Sequence, residues 1–488
     1  MAKAVASSTK TAATPAGLSV HQRMLMTFTF FSMFFGAGNL IFPPFVGAQA
    51  GSAALPATIG FIVSAVGLPI LGVLAVSFAG GFDRLAGRVS PGFATVLAVA
   101  IILTIGPCFA IPRTATTSFE MMVAPFLGSG AAGAGAGAGG DGTRWVAQLI
   151  YSAVFFALAF LFAQRPEKLS HVLGRFMGPL LIALIAVMFV ACLMHGIGTP
   201  AAPAGDYAQG QLSRGFLDGY QTMDLLAALY FGIVISANIR AQGVDGEGTV
   251  RRETAFAGLG TGVLLVLIYG ALSYVGVVSG AIAAIDPKSA TGATVLTNLT
   301  SSVFGAGGTA FLGVVFVIAC LNVCTGLICT CASYFHERFR TVAGHGVTYR
   351  AWQVIFTLFS FAVSNAGLAA IIKVSVPVLS ALYPIAIVLV LLALTHRWFA
   401  ARFGRVYFWT VLLVGIVALL GCVVSLADVF GFGGVSAVAG LASVLNVLPL
   451  NGFSLGWVAP AALGVALGMV DSAVRRNSSS QNSETVIL

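Results

Sequence analysis

The stretch FFGAGNLIFPPFVGAQAG, Phe34–Gly51, decides how this chain is read. It lies in an apolar run of the length that crosses a bilayer, about 20 residues. It nevertheless holds four glycines, the polar Asn39 and the pair Pro43–Pro44. Backbone left unpaired in lipid is costly, and it persists only where it lines a protein cavity. A discontinuous span exposes amide N–H groups at the start of one half-helix and carbonyls at the end of the other. The first attract a carboxylate and the second a cation. The predicted break is Gly36-Ala37-Gly38-Asn39, with Pro43–Pro44 starting the outer half-helix. The glycines alone would fit a close-packed helix face with a proline kink equally well.

The rest of the chain agrees with a membrane setting. Its 488 residues are 58% hydrophobic and 8% charged, with mean hydropathy +0.99, where a soluble domain carries about 25% charge. The fold class is therefore an all-α polytopic membrane protein. Twelve spans are predicted, at 24–48, 55–79, 92–112, 146–164, 172–195, 222–240, 255–280, 309–335, 351–371, 374–395, 407–426 and 454–472. They form one transmembrane domain, 24–472, between disordered cytoplasmic tails at 1–23 and 473–488. The first tail lacks the apolar core of a signal peptide, and Gly128–Gly142 reads as a flexible outer linker. Of 24 lysines and arginines, only Arg113, Arg144, Arg214, Lys288 and Lys373 fall on the side opposite the termini, while the 15 acids divide almost evenly. Cations alone carry the bias, so it orients the chain with both termini cytoplasmic. The net charge of +9 then needs no nucleic acid partner.

Span 6, DLLAALYFGIVISANIR, repeats a feature of span 1. Phe231–Gly232 lies about as deep in it as Phe35–Gly36 does in span 1, 196 residues earlier. Five spans separate the two pairs, and an odd number inverts the second copy, as in inverted-repeat transporters. A second break is expected there. Ionisable groups are scarce inside the spans; Glu120 and Asp224 are expected near outer ends, and no histidine falls mid-span. A proton relay usually needs such groups, so a coupling ion held by neutral oxygens is favoured, and sodium suits carbonyls and hydroxyls. In span 8 the Leu321 carbonyl and Thr325 hydroxyl can meet on one face, although such a threonine often just bonds back to its own helix. The seven cysteines lie in or beside apolar runs and read as packing. No metal cluster, catalytic pair or nucleophile elbow is present, so an enzyme is not expected.

Four segments then carry a resemblance: FFGAGNLIFPPFVGAQAG, GPCFAIPRTATTSFE (Gly106–Glu120), GFLDGYQTMDLLAALYFGIVI (Gly215–Ile235) and VSVPVLSALYPIAIVLVLL (Val374–Leu392). In this order they resemble the bacterial branched-chain amino acid:cation symporter family, over about Met24 to Asp471. The resemblance implies an inner-membrane importer of leucine, isoleucine and valine driven by sodium, with no obligate protein partner besides membrane lipid. It implies a LeuT-like five-plus-five inverted repeat with helices 1 and 6 discontinuous. Repeat one would cover about 24–195, repeat two about 222–395, and 407–426 and 454–472 would be extra spans. By that analogy the substrate carboxylate meets amides at Ala37 and Gly38, beside Gly36 and Asn39. Phe109, Tyr230, Phe231 and Gly232 would form the side-chain pocket. Sodium would be held by carbonyls of Ser32 and Phe35 with Leu321 and Thr325; Cys324 beside them is a poor sodium ligand. Arg113 and Glu120 would form an outer ion pair or gate, and Asp224 would cap the outer end of span 6. Alternating access would rock spans 1, 2, 6 and 7 against 3, 4, 8 and 9. The alternatives are a proton-coupled or ion-independent carrier, and a non-transporting leucine sensor.

Overall fold

The computed structural model describes residues 18–127, 140–164, 180, 182–194, 196, 199–244, 246–286, 290–342 and 344–485. Residues 1–17 of the expected tail 1–23, most of the Gly-Ala linker 128–142 and residues 172–179 of the expected span 172–195 lie outside them. The described residues are helical almost throughout. In order come α1 (Val20–Phe34), α2 (Ala37–Ala50), α3 (Ala54–Ile62), α4 (Leu68–Ala79), α5 (Phe82–Gly87), α6 (Pro91–Leu103), α7 (Ala110–Met122) and α8 (Gly140–Ala163). There follow α9 (Ile182–Met194), α10 (Gln211–Asp218), α11 (Asp224–Ala241), α12 (Glu247–Ile282), α13 (Gly292–Arg338), α14 (Tyr349–Ser364), α15 (Leu368–Phe399), α16 (Val406–Val429), α17 (Ser436–Asn446) and α18 (Val458–Thr485).

Among the described residues, eight helical stretches are long and apolar enough to cross a membrane, the longest being Gly292–Arg338, which is broken at the non-helical Gly305. The other expected spans are met by shorter helices: α1, α9, α11 and α14. Start signals are local. Ser19 and Gln22 form a capping box for α1, and Ser90 caps α6 ahead of Pro91, each filling an amide that no earlier turn can. Outward faces are apolar: Val154, Leu158 and Leu161 on α8, and Leu412, Ile416, Leu419 and Val423 on α16, are all exposed. Water would penalise such faces and lipid does not, so this is a membrane protein.

Two of the helix pairs that pack backbone against backbone do so reciprocally, with a glycine on each helix against a carbonyl of the other. Gly47 of α2 lies against the Ser273 carbonyl of α12, and Gly276 of α12 against the Pro44 carbonyl. Correspondingly, Gly60 of α3 lies against the Leu212 carbonyl of α10, and Gly215 of α10 against the Ala57 carbonyl. In both pairs a missing Cβ sets the approach, as small residues do in membrane bundles.

Candidate functional site

The first break lies at Phe35–Gly36. The Phe35 N–H bonds to the Phe31 carbonyl at 2.8 Å, which leaves the carbonyls of Ser32 to Phe35 without partners in α1. Gly36 is extended, and α2 begins at Ala37. Ala37, Gly38 and Asn39 are therefore its first turn, not an unwound loop, and Pro43 and Pro44 lie inside the helix rather than at its start. The reason is Asn39. Its Oδ1 accepts the Gly36 N–H at 3.3 Å and starts the helix ahead of the prolines, which then forgo only the bonds to the Asn39 and Leu40 carbonyls.

The same side chain looks both ways. Asn39 Nδ2 donates to Asp224 Oδ2 at 2.7 Å and to the Tyr269 hydroxyl at 2.5 Å. Tyr269 donates in turn to Asp224 Oδ2 at 3.4 Å. All three side chains are buried, so α2, α11 and α12 are tied at one polar point. The sequence had put Asp224 at the outer end of a span. It is the first residue of α11, at the start of that span, but this start is buried because the 3-10 turn Gly219–Thr222 continues α10 ahead of it. Between them Met223 is left-handed, with φ 63°, a conformation a non-glycine residue adopts only when its surroundings hold it there.

This linker is the second interruption. The one expected at Phe231–Gly232 is absent: α11 is helical from Asp224 to Ala241, and the Phe231 side chain lies outside what the structure describes. Gly232 serves packing, since a Cβ there would sit 3.0 Å from Val76 Cβ of α4. A third interruption was missed. Between α6 and α7 the segment Thr104–Cys108 widens into a π turn, and Gly106 is non-helical. The pair Gly106–Pro107 was its signal in the sequence.

Arg113 and Glu120 are not paired. Glu120 bonds to Arg144 at 2.6 Å. Arg113 is 4% exposed; its Nη1 donates to the Gln221 carbonyl at 2.8 Å, and its guanidinium lies over the Phe42 ring, 5.2 Å from the centroid. A Cβ on Gly38 would stand 2.8 Å from Nη2. Arg113 of α7 thus packs against the first turn of α2, because α7 runs well past the span end expected at residue 112.

The proposed pocket aromatics separate. Phe109, at the start of α7, shares an apolar cluster with Tyr220, Met223 and Tyr383. Tyr230 meets Tyr334 edge-on at 5.8 Å and packs against the apolar cluster that includes Ala37 and Cys324. On the ion side, α13 passes the break with Val323 facing Gly36, 3.9 Å from where a Cβ would be. Thr325 is buried, and its hydroxyl donates to the Leu321 carbonyl at 2.7 Å, so it does bond back to its own helix. The Ser32 side chain is exposed. Sequence reasoning overlooked Tyr269, Gln221 and Met223, which reach the site only through tertiary contacts.

Residues 19–475 match the branched-chain amino acid transport protein family. The branched-chain amino acid permease BrnQ of Bacillus subtilis is 37% identical over 456 residues, covering 92% of this chain and 96% of that protein. The branched-chain amino acid transport system 3 carrier protein of Pseudomonas aeruginosa is 42% identical over 371 residues, 76% of this chain and 80% of that one. Among solved structures, the inward-facing conformation of Mhp1 superposes with TM-score 0.60 at 12% identity, over 93% of this chain and 91% of that one. A closed conformation of Mhp1 with bromovinylhydantoin bound gives TM-score 0.57, also at 12% identity and over 93% of each chain. These structures bear on the fold alone, and it is the LeuT-like one.

Proposed function

Because this chain belongs to the branched-chain amino acid transport protein family, whose members are transporters and not enzymes, we propose that it is a sodium-coupled symporter. It imports leucine, isoleucine and valine across a bacterial inner membrane, with twelve crossings and both termini cytoplasmic. The observation that carries this reading is the break at Phe35–Gly36. There the free carbonyls of Ser32 to Phe35 face one way and the first amides of α2 the other, the arrangement that takes a cation and a carboxylate.

Further support for an inverted repeat comes from the matched helix pairs. In a five-plus-five order, α2 and α10 are the outer halves of helices 1 and 6, while α12 and α3 belong to helices 7 and 2. Inversion maps the second half of helix 1, α2, onto the second half of helix 6, α11, so the contact of α2 with α12 is the counterpart of that of α11 with α4 of helix 2. Glycines set both: Gly47 and Gly276 in the first, Gly232 against Val76 and Gly72 against Leu225 in the second. Interrupted helices 1 and 6 carry the site, and the unit of helices 1, 2, 6 and 7 rocks against helices 3, 4, 8 and 9.

Sodium is held by the Ser32 and Phe35 carbonyls with Leu321 O and Thr325 Oγ1. A hydroxyl that donates to a neighbouring carbonyl keeps its lone pairs, so the bond within α13 leaves Thr325 able to accept a cation. Apolar walls, with Tyr230 of the cluster that holds Ala37 among them, select branched side chains over polar ones. They separate leucine from valine poorly, because one methylene is worth about 1–3 kcal/mol.

The test is binding of labelled leucine to the purified carrier in sodium or in choline at fixed pH. Binding that needs sodium and is displaced by isoleucine and valine supports the reading. Binding indifferent to the cation contradicts the coupling, and no binding of any branched-chain amino acid contradicts the substrate.

A further inference from the structure

Arg113 is a buried cation with most of its hydrogen-bonding capacity unspent. A guanidinium carries five N–H donors, and among the described residues Arg113 makes one hydrogen bond, from Nη1 to the Gln221 carbonyl. Nε and Nη2 have no protein acceptor there, and no ion pair joins this side chain to an acid. Asp224 interacts with it electrostatically but is engaged by Asn39 and Tyr269. A buried charge without its counter-charge is costly, and inside a membrane protein it marks a binding step.

Its surroundings say what is missing. Nη2 lies against Gly38 in the first turn of α2, where the amides of Ala37 and Gly38 have no preceding turn to serve them. That end of the helix also carries partial positive charge. Two positive features thus converge on one place, and an anion satisfies both. Stapling α7 to the linker Gly219–Thr222 accounts for Nη1 but not for the other donors.

We propose that Arg113 binds the carboxylate of the transported amino acid, Nε and Nη2 acting together with the amides of Ala37 and Gly38. This rests on the reading of the break as the substrate site. The fork of an arginine matches two carboxylate oxygens, so the site demands a free carboxylate and rejects leucine's amide.

The experiment compares unlabelled L-leucine with L-leucinamide as competitors for labelled leucine on the purified carrier in sodium, in wild type and Arg113→Gln. Wild type should prefer leucine strongly. In Arg113→Gln, leucine should weaken by about ten-fold or more while leucinamide stays within about two-fold, so the preference collapses. Both competitors weakening in parallel, or neither weakening, would overturn the proposal in favour of a packing role. Should the glutamine variant not fold, Arg113→Lys keeps the charge but loses the fork. A reduced preference there supports the proposal and an unchanged one overturns it. Wild-type protein that ignores leucine would overturn the substrate reading, and this proposal with it.

Discussion

Asn39 and Asp224, 185 positions apart, are joined by a buried hydrogen bond of 2.7 Å. It fastens the start of α2 to the start of α11, so the two interrupted helices are joined there by an amide–carboxylate contact. Asn39 also fills the Gly36 N–H and touches Tyr269. Replacing it by alanine leaves the part-buried Gly36 amide unpaired and takes a donor from the buried Asp224 carboxylate. Each such orphan costs about 1–3 kcal/mol. Asn39→Ala should lower the unfolding temperature in detergent and reduce leucine uptake at least about ten-fold. Wild-type values for both would remove Asn39 from the account.

Close approach of α2 and α12 gives a second prediction. A Cβ on Gly276 would overlap the Pro44 carbonyl, whereas one on Gly270 of the same helix meets nothing within 4 Å. Gly276→Ala should therefore destabilise the carrier by about 1–3 kcal/mol, and Gly270→Ala should not. Equal melting temperatures for the two variants would contradict the contact.

Glu120 and Arg144 make a contrast with Arg113. Their side chains are 17% and 32% exposed, and partly exposed pairs contribute at most about 1 kcal/mol. Glu120→Gln should keep leucine uptake within about two-fold of wild type. A loss comparable to that of Arg113→Gln would restore Glu120 to the transport machinery.

Thr325 is the side chain through which the ion reading can be tested. Thr325→Ala should raise the sodium concentration for half-maximal leucine uptake about ten-fold, the size of one lost polar contact. Leucine affinity at saturating sodium should stay near wild type. An unchanged sodium requirement would leave the hydroxyl only its bond to the Leu321 carbonyl.

Much of this was legible in the sequence because lipid imposes it. Long apolar runs required helices, the breakers of Phe34–Gly51 pointed to an interruption, and the interruption lies within two residues of its expected start. The rest depended on contacts between distant residues. Nothing local in Asn39 says that it caps Gly36, so the helix start was put at the prolines. The Phe–Gly echo misled because a glycine in a helix also permits packing, which is what Gly232 does against Val76. The second interruption instead falls at Met223, a residue type with no preference for the left-handed conformation it adopts. Arg113 and Asp224 were assigned to the periphery because each lies at the edge of an apolar run. Chain neighbours that continue as buried helix, α7 and α10, bring them to the break.

The central claim, import driven by sodium, is tested most directly by labelled leucine uptake into proteoliposomes under an inward sodium gradient or an inward proton gradient. The account predicts accumulation with sodium alone. Accumulation with protons alone would contradict it and make the buried Asp224 carboxylate, rather than the carbonyls of Ser32 and Phe35, the place where the coupling ion is held.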